Sequence, residues 1–143
     1  MKRILHVEDN GLLTDQIGSK LREMGYEIKT AYSYESALDR WDENHGEFDC
    51  IILDLHINPA GMSVSDIEEF FPMYGIVAFD YFIKTNKDDS DLRLKTIIYS
   101  GYIKDFEKMC AKKEWYFDKI KQIEKSGFSI SELITTVNLI CNG

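Results

Sequence analysis

Ile51-Ile52-Leu53 is a short run without a polar residue, and Asp54 and Leu55 follow it directly. An apolar run of this length that does not alternate reads as a strand covered on both faces, and such strands occur in parallel sheets with helices packed on either side. The chain around it must therefore supply helices between strands. The same stretch sets a chemical condition. A carboxylate at the end of a buried strand is costly unless something pairs with it or neutralises it, so the surroundings of Asp54 must provide a partner.

The rest of the chain supplies the alternation. Arg3 to Val7 reads as strand one and stops at the polar cluster Glu8-Asp9-Asn10-Gly11. Leu13, Ile17, Leu21 and Met24 then recur at helical spacing before Gly25, which predicts a helix over 11–24, and Tyr26 to Ala31 follows as strand two. Ser33 is placed to cap a second helix whose apolar face is Tyr34, Ala37, Leu38 and Trp41. Strand three is Asp49 to Leu53, with Asp49 read as a turn or capping residue.

From 55 to 94 the pattern is irregular. Pro59 and Gly61 mark a turn, Ser65 and Glu68 have capping-box spacing, and Pro72 separates a short helix around 66–71 from a longer one at about 73–84. Lys84 to Arg93 reads as a polar surface connection. The segment is longer than a simple crossover requires. Lys95 to Tyr99 is strand four, closed by Ser100-Gly101, and Ile103, Phe106 and Cys110 mark the helix after it. Trp115-Tyr116-Phe117 is the expected strand five, closed by Asp118-Lys119. Ser129-x-x-Glu132 has capping-box spacing again, and Ile130, Leu133, Ile134 and Val137 carry the last helix.

Five strand and helix alternations specify an α/β three-layer fold with right-handed crossovers, here read as one domain over 1–143. The net charge of -8 opposes a phosphate backbone, which argues against direct DNA or RNA binding. The apolar runs fall short of the ~20 residues that span a bilayer. With no signal-peptide pattern, and with the odd set Cys50, Cys110 and Cys141 lacking metal-ligand spacing, we expect a cytoplasmic protein with reduced thiols.

In such sheets the ligand site lies beyond the carboxyl ends of the strands, where the strand order reverses. The strand ends here carry Glu8 and Asp9, Asp54, Ser100 and Lys119. If the order is 2-1-3-4-5, Asp9 and Asp54 meet across that point. Carboxylates brought together call for a divalent cation, and hard oxygen ligands without His or thiolate favour magnesium over zinc. A carboxylate beside magnesium can attack phosphorus to give an acyl phosphate, with a nearby ammonium such as that of Lys119 taking up charge on the equatorial oxygens.

These residues resemble the receiver domains of two-component response regulators. Ile4-Leu5-His6-Val7-Glu8-Asp9-Asn10 is similar to the family's first strand and acidic pair, and Asp49-Cys50-Ile51-Ile52-Leu53-Asp54-Leu55 to its phosphoacceptor strand. Ile97-Ile98-Tyr99-Ser100-Gly101 and Tyr116-Phe117-Asp118-Lys119 resemble the strands that end in Thr or Ser and in Lys. The resemblance spans nearly the whole chain. It implies a doubly wound (βα)5 flavodoxin-like fold with a five-stranded parallel sheet of order 2-1-3-4-5 and an enlarged β3–β4 crossover.

By the same resemblance Asp54 is the phosphoacceptor and Ser100 and Lys119 bind the phosphoryl oxygens. Mg2+ is held by Asp9, Asp54 and the backbone carbonyl of His56, with Glu8 acting mostly through water, and Tyr116 is the aromatic switch that follows Ser100. The implied function is a stand-alone phosphorelay switch, not an enzyme beyond self-phosphorylation and self-dephosphorylation. Its implied partners are a histidine kinase or phosphotransfer protein and a downstream protein or second copy. The latter would dock on the face made by the fourth helix, fifth strand and fifth helix of a receiver.

Two departures stand out. The family usually has a cis proline after the lysine, where Ile120 stands here, and the stretch from Lys119 to the last helix is longer than usual. Lys125-Ser126-Gly127-Phe128 resembles the same turn, so Lys125 rivals Lys119, which we favour because Trp115-Tyr116-Phe117 is the better strand. His56 and Tyr102 lie two places beyond Asp54 and Ser100, where bulky side chains predict slow self-dephosphorylation.

Three other readings compete. The first is a pseudo-receiver that binds partners without phosphorylation. A haloacid-dehalogenase phosphatase needs an Asp-x-Asp that Glu8-Asp9-Asn10 lacks. A flavodoxin-like cofactor carrier needs a phosphate loop rich in Ser, Thr and Gly where this chain has acids.

Overall fold

A computed structural model describes residues 1–87, 91–113 and 120–143. Strands β1 (Arg3–Val7), β2 (Glu27–Ala31), β3 (Cys50–Leu53), β4 (Thr96–Ser100) and β5 (Lys121–Glu124) form one parallel sheet in the order β2-β1-β3-β4-β5. The α-helices among the described residues are α1 (Gly11–Glu23), α2 (Tyr34–Glu43), α3 (Val64–Phe70), α4 (Tyr74–Thr85), α5 (Ile103–Lys113) and α6 (Ser129–Asn142), and a 3-10 helix over Leu92–Lys95 leads into β4. This is the α/β architecture the alternation implies, in the flavodoxin-like form the family resemblance implies. Among the described residues no helix is long and apolar enough to cross a membrane.

Every residue of β3 is buried, as the uninterrupted apolar run requires. Side chains alternate across the sheet, so one strand feeds two cores. On one face Leu5, Val7, Ile51, Leu53 and Ile98 pack with Trp41 of α2, Phe79 and Phe82 of α4 and Phe106 of α5. On the other, Ile4, Ile52, Ile97, Tyr99 and Ile123 pack with Ile17 and Leu21 of α1 and Leu133 and Val137 of α6. Trp41 ties the first core together, stacking on Phe82 at a centroid distance of 4.6 Å and donating its indole N–H to Thr85 Oγ1 at 2.8 Å. A buried aromatic so placed is worth about 3–5 kcal/mol on truncation to Ala.

Helix starts follow local chemistry. Asn10 Oδ1 accepts from the Leu13 N–H at the start of α1, and Ser33 and Ser36 form a reciprocal capping box at α2. The capping expectation at Ser65 and Glu68 is corrected: Ser63 is the N-cap of α3, its Oγ accepting from the Asp66 N–H. The one at Ser129 and Glu132 is corrected too. Ser129 is the first residue of α6, Phe128 precedes it without a side-chain cap, and Ser129 Oγ instead meets Tyr99 Oη at 2.6 Å and accepts from the Ser126 N–H at 2.9 Å. Asp49 is structural, its Oδ2 accepting from the Arg3 N–H at 2.8 Å.

The largest correction concerns the fifth strand, which is Lys121–Glu124. The stretch expected to form it, 115–117, lies outside the described residues, as do Tyr116 and Lys119. Among the described residues β5 pairs only with β4, Ser100 opposite Glu124, so the residue that leaves the carboxyl end of the sheet beside Ser100 is Lys125.

Candidate functional site

The strand ends converge as the topology demands. β1 and β3 are neighbours with Val7 opposite Leu53, which puts Glu8 and Asp9 beside Asp54. Oxygens of these three carboxylates lie within 4.8 Å of one another. Glu8 and Asp54 are buried and Asp9 is exposed. The Asp54 N–H donates to the Val7 carbonyl at 3.0 Å, extending the ladder by one bond and holding the acid at the strand mouth.

Lys125 supplies the counter-charge. Its Nζ donates to Glu8 Oε1 at 2.6 Å and to Asp54 Oδ2 at 3.0 Å, and its backbone N–H donates to the Ser100 carbonyl at 3.0 Å. Of the two candidate lysines, Lys125 is thus the one seen on the acids, while Lys119 lies outside the described residues. The overlong stretch between Lys119 and α6 was the sequence signal for it. Ser100 is fully buried, and its Oγ accepts from the Tyr102 N–H at 3.2 Å. The His56 N–H reaches Asp54 Oδ1 at 3.4 Å, and the His56 ring meets Tyr102 edge to face at 4.9 Å.

One ammonium does not balance three acids. Burial, with the Asp54 charge beside it, pushes the Glu8 carboxyl up to about 7 despite its bond to Lys125. For Lys125 burial works against the charged form, but Asp54 and Glu8 outweigh it and hold the ammonium above its ordinary value. An all-oxygen donor set with excess negative charge fits a hard divalent cation such as magnesium. The residues that would hold it are Glu8, Asp9 and Asp54, with the His56 carbonyl in the adjoining loop.

No family model matches the chain, and no curated protein does. Solved structures match it over its length. The non-phosphorylated HemR receiver domain of Leptospira biflexa is 19% identical at a TM-score of 0.70, covering 100% of this chain and 96% of that one. The response regulator TrrA of Thermotoga maritima, bound to Mg2+ and BeF, is 25% identical at a TM-score of 0.65, with 98% and 99% covered. A chain from the complex of TrrA with the histidine kinase ThkA is 27% identical at a TM-score of 0.64, with 98% of each covered. This chain has the receiver-domain fold of response regulators.

The three acids come together at the strand ends, and Ser100 ends β4, the strand beside β3. The aromatic switch position does not transfer with the lysine. Tyr116 precedes Lys119 by three places, and the same count back from Lys125 gives Gln122, a half-buried amide in β5.

Proposed function

We propose that this chain is a phosphorylation-dependent signalling switch in which Asp54 accepts a phosphoryl group from a histidine kinase or phosphotransfer protein. The observation that carries the reading is the Lys125 ammonium bonded to both Asp54 and Glu8 at the strand ends. A carboxylate oxygen of Asp54 attacks phosphorus, forming the acyl phosphate as the donor's bond to phosphorus breaks and its electron pair leaves with the donor. The Lys125 ammonium and the Ser100 hydroxyl then bind phosphoryl oxygens. Bound magnesium would supply positive charge against the acids and the phosphoryl group.

The change at the site reaches β5 because the Lys125 N–H is bonded to the Ser100 carbonyl, so Ser100 and Lys125 move together. The face built from α5, β5 and α6 would pass this change to a downstream protein or a second copy. The only chemistry proposed is self-phosphorylation and self-dephosphorylation.

Incubation with acetyl phosphate and magnesium, followed by intact mass, tests the reading. Wild type should gain the mass of one phosphoryl group, Asp54→Ala none, and Lys125→Ala should gain it more slowly. No addition on wild type, or the same addition on Asp54→Ala, overturns it in favour of a phosphorylation-independent binding module. Removing the donor and following the added mass gives its lifetime. His56 and Tyr102, in ring contact and each two places beyond Asp54 and Ser100, should make that lifetime long, and decay within a few seconds would contradict the shielding role.

A further inference from the structure

The long crossover between β3 and β4 builds a surface the phosphoacceptor chemistry does not use. Helices α3 and α4 meet along a groove of about 390 Å³. Its floor is apolar: Phe70 comes from α3, and Ile76, Phe79 and Ile83 recur on α4 at helical spacing. Ile76 and Phe79 are rooted in the core, at 4% and 2% exposure, whereas Ile83 is 45% exposed.

The rim is acidic. Asp66 and Glu69 line it from α3 and Asp80 from α4, and the single basic residue of the lining, Lys84, is already paired with Asp80 at 2.7 Å. The fields of Asp66 and Asp80 converge nearby. After burial they are the causes that raise the Tyr34 phenol above its ordinary value.

An apolar floor between acidic edges is complementary to a helix that presents an apolar stripe flanked by Lys and Arg. A second copy of this chain is a poor occupant, because its net charge of -8 repels the same rim. We infer that the α3–α4 groove docks a basic amphipathic helix of a partner protein. The inference does not depend on phosphorylation of Asp54, and binding to the groove can be read with the unmodified protein.

The test uses the full chain and three synthetic peptides of about four turns: Leu on one face with Lys elsewhere, the same with Glu for Lys, and the same with Ser for Leu. Amide chemical-shift mapping locates binding and titration calorimetry measures it. The Leu/Lys peptide should shift amides within residues 64–84 and bind at least tenfold more tightly than either control. The Asp66→Lys, Asp80→Lys double variant should weaken it at least tenfold. Both positions are solvent-accessible, and a circular dichroism melt checks that the variant is folded. Ile83→Gln, which removes apolar floor without touching charge, should also weaken binding. Absence of binding, shifts centred on another face, or equal affinity for the charge-reversed variant overturns the inference.

Discussion

His6 lies in β1 and Glu8 directly follows the strand's last residue, and the two are perturbed in opposite directions. Burial, helped by the Lys125 charge, lowers the His6 ring from 6.5 to about 3, and its Nδ1 is buried without a hydrogen-bond partner. Between those values the unfolded chain binds a proton that the folded chain refuses, so His6 costs stability as pH falls below 6.5. Glu8 is raised from 4.5 to about 7, so the folded chain keeps a proton that the unfolded chain has lost, and stability falls as pH rises through that window. Each contributes up to about 1.4 kcal/mol per pH unit in its window. In urea titrations without divalent cations, His6→Leu should therefore gain on wild type as pH falls below 6.5. Glu8→Gln should gain on wild type as pH rises from 4.5 to 7. Stability curves that stay parallel to wild type across the range would show that neither group titrates as its surroundings require.

At the scale of elements, the decisive contact is the start of α4 against the Asp54 loop. The Gly75 N–H donates to the Leu55 carbonyl at 2.8 Å, and a Cβ at Gly75 would lie 2.2 Å from the Asp54 carbonyl oxygen and 2.9 Å from Leu55 Cα. Those are backbone atoms, so nothing can rotate aside. Gly75→Ala should cost about 3 kcal/mol or more in chemical denaturation by forcing helix and loop apart, and it should slow phosphorylation by displacing Asp54. A variant within a few tenths of a kilocalorie of wild type would show that the helix can slide freely. The same scale explains what was legible. β1, β3 and β4 lie inside the sheet, covered on both faces, so their sequences are mostly apolar, and the acids and Ser100 at their ends could be read directly. β5 is an edge strand with only Ile123 buried, and backbone pairing to β4 rather than a side-chain pattern makes Lys-Gln-Ile-Glu a strand. Trp115-Tyr116-Phe117 has the stronger strand composition, and that composition favours Lys119 over the lysine at the end of β5. Gly75 carried no signal at all, because its role is set by a backbone distant in sequence.

Across the whole molecule the site concentrates strain that the rest of the fold must hold. Three strand-end acids face one ammonium inside a chain whose net charge is already -8. The two apolar cores keep the sheet from opening to relieve the repulsion, so compensation is left to the Glu8 proton or, on the proposed reading, to a bound cation. On that reading cation binding would be a stability effect on the whole fold. A ligand that binds only the folded state at a hundred times its dissociation constant adds about 2.7 kcal/mol, several degrees of melting temperature for a domain of this size. Melting in millimolar-range magnesium should therefore rise above that in EDTA by such an amount. The Asp9→Asn, Asp54→Asn double variant should melt higher than wild type in EDTA, because its acids no longer repel, and should gain nothing from magnesium. Sodium chloride at matched ionic strength separates general screening from binding. If sodium reproduces the magnesium effect, or if the double variant gains as much as wild type, the acids do not hold the cation. The excess charge must then be met by the Glu8 proton alone.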